Sequence, residues 1–108
     1  MQALLENEIV SLYTQDKAMS EFDALMERAK VADAMLKNKI ETDIVKSGLR
    51  FVPELINHIQ TVKGVTRGLC AMCLIRIGQS CVGMVKEAAR MNSEFAWAAD
   101  YIVNEIQG

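Results

Sequence analysis

Proline, glycine, histidine and aromatic residues are all scarce in this chain of 108 residues. It has one proline, six glycines and one histidine, and aromatic residues make up 6% of it. So little proline and glycine argues against a linker-rich or disordered chain. Strands are also poorly supported, because no run alternates β-branched and polar residues and no Asn-Gly or Asp-Gly pair offers a hairpin turn. These absences leave helices as the expected secondary structure.

Segments that would direct the chain to a membrane or out of the cell are not apparent either. The first residues have no basic stretch followed by a long apolar run, so we expect no secretory signal. No uninterrupted apolar run reaches the ~18 residues of a membrane span. The cysteines number three, an odd count that argues against a disulfide framework. We therefore expect a cytoplasmic protein that does not associate with membranes.

Apolar residues, in contrast, are abundant and regularly spaced. They make up 51% of the chain, and they recur at helical intervals along its length. The length fits one domain over residues 1–108 and is sufficient to bury a core. No internal repeat is evident. The sequence thus predicts an all-α fold, a compact bundle of about five amphipathic helices.

Capping and breaking residues set the boundaries of these helices. The hydroxyl of Ser20 can accept a free amide of the first turn of the second helix, and Gly48 is suited to ending that helix. Pro53 suits the first turn of the third helix, which Gly64 ends, and Thr66 is expected to cap the fourth. The predicted helices span residues 2–14, 20–46, 53–63, 66–90 and 94–107.

The helix predicted over 66–90 is apolar on two adjoining faces, which indicates a central position in the bundle. Its core face includes Cys70, Cys73 and Cys81. Gly78 and Gly83 leave open whether this helix is continuous. In the second helix, Asp33 is expected to lie at the border of the core.

The cysteines and the single histidine are the residues that could hold a metal ion. With His58 the three cysteines offer the four ligands that a structural zinc site needs. On one straight helix, however, Cys70 and Cys81 lie roughly 16 Å apart along the axis, whereas zinc ligands converge to within ~4 Å. A site would require the helix to break near Gly78 and fold back. We interpret the cysteines as small core residues, and we predict no metal, no cofactor, no catalytic residues and no enzymatic activity.

Charge is unevenly distributed along the chain. Residues 1–45 carry a net charge of −4, residues 46–90 carry +5, and residues 91–108 carry −3. Acidic outer helices packed beside a basic middle segment would explain this pattern, and a basic surface that binds nucleic acid is the alternative. The candidate contacts for an anion or nucleic acid are Lys63, Arg67, Arg76, Lys86 and Arg90.

Part of the basic segment resembles a helix-turn-helix layout. A helix that ends near residue 63, a turn at Gly64 and a second helix have the required order. The helix after this turn, which would have to recognise the DNA sequence, carries one basic residue, Arg67, in its first turns. It has almost no side-chain amides or hydroxyls that could form hydrogen bonds with nucleotide bases. Sequence-specific DNA binding is therefore the less favoured hypothesis.

Several apolar residues lie off the core stripes and favour a role in protein binding. Trp97 and Tyr101 are one turn apart on a side of the last helix that its core residues do not occupy. Aromatic residues in such positions are common at interface hot spots. Met35 and Met72 are further apolar residues off their stripes. We expect a non-enzymatic interaction or regulatory protein, of adaptor or inhibitor type, that binds another protein or a second copy of itself. Small inhibitors and adaptors, including those of phages and mobile elements, share this profile.

Overall fold

A computed structural model of the chain describes residues 20–108, and the helix predicted over 2–14 lies outside this part. The described residues form helices and no strand, which confirms the predicted all-α fold. The α-helices are α1 (Glu21–Lys30), α2 (Ala34–Lys46), α3 (Val52–Thr61), α4 (Val65–Ile77), α5 (Val82–Met91) and α6 (Ala96–Gln107). Short 3-10 turns precede three of them, at Gly48–Phe51, Gly78–Cys81 and Ser93–Phe95.

The segment 20–46 is two helices rather than the single predicted one. Ser20 caps α1 as expected, since its hydroxyl accepts a hydrogen bond from the Asp23 amide at 3.0 Å. The helix then ends at Lys30, and Asp33 starts α2 by accepting a hydrogen bond from the Leu36 amide at 2.9 Å. Asp33 is exposed, so the predicted position at the border of the core was wrong, and its carboxylate is the N-cap of a new helix.

The segment 66–90 is also divided. The backbone of Gly78 has φ +86° and ψ −151°, a conformation that L side chains rarely adopt and that ends α4 at Ile77. Gly83, by contrast, lies inside α5 and does not interrupt it. The sequence left open whether the helix over 66–90 is continuous, and the structure shows that it is interrupted at Gly78.

Taken as one stretch, Val65–Met91 is long and apolar enough to cross a membrane by length and composition alone. Its most apolar window has a mean hydropathy of 1.6 and is 39% buried within the structure. A core helix of a soluble protein can pass the same test of length and composition. We expected no membrane span because no uninterrupted apolar run is long enough. The average hydropathy of a window gives a different result because it tolerates single charged residues and glycines.

The helices recur in a pattern that was missed in the sequence. A helix of 13 residues, a 3-10 turn of four and a helix of 10 form the segment from α2 to α3, and the segment from α4 to α5 has the same three lengths. Gly48 and Gly78 open the two turns, both with positive φ. Buried residues 30 positions apart correspond: Ile40 and Cys70, Ile44 and Leu74, Phe51 and Cys81, Val52 and Val82, and Leu55 and Val85.

This recurrence produces two layers. Helices α2, α4 and α6 form the long-helix layer, in which α4 contacts both of the others. Helices α1, α3 and α5 form the short-helix layer, and each packs on the long helix that follows it in the chain. The described domain is therefore a stack of three helical hairpins, the construction principle of helical-repeat proteins. Because α4 also contacts α1 and α3, it is the centre of the stack. The central position predicted for the whole segment 66–90 therefore applies to α4 alone.

Candidate interaction surface

The two outward-pointing aromatic residues predicted on the last helix lie on the long-helix layer. Trp97 and Tyr101 are 63% and 53% exposed. They occupy α6 one turn apart, and the core side of the same helix is formed by Ala98, Ala99 and Ile102. The rings of Trp97 and Tyr101 are therefore surface groups that a binding partner can reach, and they are not part of the core.

A groove of about 230 Å³ separates these rings from α4, and we call it the aromatic groove. Its walls come mainly from the first turns of α4 and the first half of α6, and Ile59 of α3 also lines it. The Arg67 guanidinium lies over the Trp97 ring, 5.2 Å from the ring centroid, within the range of a cation–π contact. The lining residues are Ile59, Gly64, Arg67, Gly68, Ala71, Trp97, Ala98, Tyr101 and Ile102.

A second groove, of about 360 Å³, lies on the other side of α4, between α4 and α2. We call it the methionine groove because exposed Met72 forms part of its wall together with Val65. Gly68 lines this groove as well as the aromatic groove. The lining residues are Ala34, Lys37, Asn38, Glu41, Val65, Gly68, Leu69 and Met72.

The structure brings together three of the four residues predicted for partner binding. Trp97, Tyr101 and Met72 line the two grooves that flank α4. Met35 is 83% exposed on α2 but lines neither groove. Sequence reasoning missed Gly68 and Val65, and the one available signal was a glycine inside an otherwise helical segment.

The five basic residues predicted for contact with an anion or nucleic acid have different local surroundings. Lys63 and Arg67 line a common cavity beside Trp97. Arg76 donates to the Glu41 carboxylate at 2.8 Å. Arg90 forms an ion pair with Glu87 on α5, the helix of the short-helix layer that also carries Lys86.

The cysteines are core residues, as predicted. All three are fully buried and free, and burial raises the pKa of Cys70 to about 12 and also raises the pKa of Cys73 and of Cys81. The Cys70 thiol donates to the Met26 thioether at 3.6 Å, and the Cys81 thiol donates to the Leu74 carbonyl at 3.4 Å. Thiols in such surroundings are poor nucleophiles, because the reactive species is the thiolate.

The chain does break at Gly78, as a zinc site would require, but the four proposed ligands do not converge. Within residues 20–108 no three His, Cys, Asp or Glu side chains are close enough to hold a metal ion. His58 instead forms a hydrogen bond with Thr66, in which Nε2 lies 2.9 Å from the Thr66 hydroxyl oxygen. Thr66 is therefore not the helix cap that its position suggested, since α4 begins one residue earlier, at Val65.

Comparisons with protein-family models, with curated proteins and with solved structures find no match to this chain.

Proposed function

We propose that this chain is a non-enzymatic interaction protein that binds another protein through its long-helix layer. The observation that carries the proposal is the placement of Trp97, Tyr101, Val65 and Met72, all exposed, around two neighbouring grooves of that layer. Grouped apolar side chains on a surface are typical of binding sites. Trp and Tyr are also enriched among interface hot spots.

The chemistry of the reactive residues is consistent with a binding role. The three thiols are buried and their pKa values are raised, while the single imidazole is engaged by the Thr66 hydroxyl. Solenoid-type stacks of helical hairpins present extended surfaces formed by successive helices, and partners bind along these surfaces. The long-helix layer is a short surface of this kind.

A pair of double variants tests the proposal. The variant W97A/Y101A removes both rings from the aromatic groove, and M84A/M91A removes two exposed side chains from α5 as a control. Both variants should keep the helical circular dichroism of the wild type. Capture of a partner from host lysate should weaken by about 30-fold or more for W97A/Y101A, the loss expected when a hot spot worth about 2 kcal/mol is removed. Equal capture by both variants would refute the proposal.

The same capture, repeated after nuclease treatment, addresses the nucleic-acid alternative. The exposed ridge of α4 carries Val65, Gly68 and Met72, which offer no hydrogen bonds to bases. We therefore expect capture to be unaffected by nuclease. Mass measurement of the purified chain by light scattering identifies a second copy as the partner if the mass doubles and W97A/Y101A reverses the doubling.

A further inference from the structure

Gly68 is an exposed glycine inside α4 that no packing contact explains. A Cβ atom built at this position meets nothing within 4 Å. Glycine within a helix costs about 1 kcal/mol relative to alanine. The local effect of Gly68 is to leave the surface of α4 bare where the aromatic groove and the methionine groove meet. No side chain separates the two grooves at this point of α4, and we call the two grooves together with the crossing at Gly68 the channel.

The spacing of the grooves matches an extended peptide chain. Neighbouring packed helices have axes about 8–10 Å apart, so equivalent points of the two grooves are separated by about this distance. A peptide in the extended polyproline II conformation advances ~3.1 Å per residue with three residues per turn, so side chains three residues apart lie on the same side, about 9 Å from each other. Side chains three residues apart in such a chain can therefore enter successive grooves, provided that its backbone crosses α4 where no side chain stands in the way.

The grooves also share a charge. Lys37 lines the methionine groove and Arg67 lines the aromatic groove, and the two bases are 30 residues apart, at corresponding positions of the repeat. Glu41, which also lines the methionine groove, is paired with Arg76 at 2.8 Å. Each groove thus offers one cation beside apolar walls, a combination that favours an acidic side chain next to an apolar one.

We propose that the partner contributes an extended acidic and apolar peptide segment that crosses α4 at Gly68. Acidic side chains three residues apart face Lys37 and Arg67. The apolar side chain that follows each acidic one packs against Met72 in one groove and against Tyr101 in the other. This inference rests on the proposed function, since it names the chemistry of the partner that the long-helix layer binds.

Binding of a synthetic probe to the full chain tests the inference. The probe is the capped peptide Ser-Glu-Leu-Ser-Glu-Leu-Ser, and the control peptide has one additional serine between the two Glu-Leu pairs. Trp97 is the only tryptophan, so its fluorescence reports binding in the aromatic groove. We expect saturable binding of the probe and at least 10-fold weaker binding of the control. Absence of probe binding, or equal binding of both peptides, would overturn the inference.

The variant Gly68→Leu distinguishes a channel from a site confined to one groove. Leucine favours the helix, so the variant should unfold at the same or a higher temperature than the wild type. Its side chain blocks the crossing, and affinity for the probe should fall at least 10-fold. Gly83→Leu is the matched control, because Gly83 is also exposed, helical and free of neighbours within 4 Å, but lies on α5.

The effect of Gly68→Leu on partner capture also distinguishes a failure of this inference from a failure of the proposed function. If partner capture requires Trp97 and Tyr101 but is unchanged in Gly68→Leu, the interaction surface stands and the crossing peptide is wrong. If Gly68→Leu dissociates a dimer instead of weakening probe binding, a second copy occupies the channel and the inference also fails. The double variant K37E/R67E should lose the probe and bind a peptide in which lysine replaces both glutamates.

Discussion

His58 Nε2 lies 2.9 Å from Thr66 Oγ1 and so joins α3 to α4 across the turn that connects them. Thr66 is 2% exposed, and the imidazole meets the ring of Phe22 from α1 edge to face at 5.8 Å. One polar and one aromatic contact of the same imidazole thereby link three helices. Because the hydroxyl is buried, losing its partner would leave a polar group without a hydrogen bond inside the protein.

The stability of the protein should fall as the pH drops below about 6.5. Burial lowers the pKa of His58 below its usual 6.5, and Lys30 lowers it further, while Asp23 acts in the opposite direction. The unfolded chain therefore binds a proton at a higher pH than the folded chain does, and protonation favours unfolding. Urea denaturation between pH 5 and 8 measures this effect. His58→Gln should flatten the profile over this range, and an unchanged slope would show that another group is responsible.

Substitution of Cys73 should distinguish a core residue from a reactive one. Its side chain is fully buried. Cys73→Ser places a hydroxyl in apolar surroundings and should lower the free energy of unfolding by about 1–3 kcal/mol, whereas Cys73→Ala should cost less than Cys73→Ser. Chemical denaturation provides both values. A serine variant as stable as the alanine variant would mean that a hydrogen-bond partner is available at this site.

The thiols of the native chain should resist modification. Burial raises the pKa of Cys70 to about 12, so the thiolate is scarce at pH 8. We expect slow labelling by a thiol reagent in buffer and rapid labelling of all three cysteines in denaturant. Fast labelling of one native thiol would contradict the burial seen in the structure.

Asp33 should contribute to stability through its backbone cap. Asp33→Ala removes the acceptor for the Leu36 amide and should cost about 1 kcal/mol, the usual loss for an N-cap. Asp33→Asn keeps an acceptor oxygen and should remain close to the wild type. Thermal unfolding of the two variants checks this order. If both lose the same stability, the charge of Asp33 matters rather than its hydrogen bond.

The sequence was sufficient to predict the fold class and several boundaries, because these depend on local signals. The apolar period identifies helices, and the Ser20 hydroxyl, Gly48 and Pro53 mark ends that the structure confirms or places within a few residues. The break at Asp33 was not predicted, since the apolar residues on its two sides remain in phase with one continuous helix. Only the geometry of the backbone shows that the carboxylate caps a second helix.

The repeat and the channel could not be inferred in the same way. The two copies of the repeat agree in the lengths of their elements and in which positions are buried, but not in residue type. Ile40, for example, corresponds to Cys70, and Phe51 corresponds to Cys81. The grooves combine residues about 30 positions apart, and their shape depends on how neighbouring long helices pack. Trp97 and Tyr101 could be predicted as surface residues from their position on the last helix. The importance of Gly68, in contrast, follows from its place between the two grooves.

The stacked hairpins also affect how the chain folds. Each short helix packs on the long helix that follows it, so the two helices of every hairpin are neighbours along the chain. Short loops close with little loss of entropy, and proteins dominated by local contacts fold on microsecond to millisecond timescales. With Gly48 and Gly78 already suited to the two corners, each hairpin can form against its predecessor. Folding can then proceed by addition of one unit to the next.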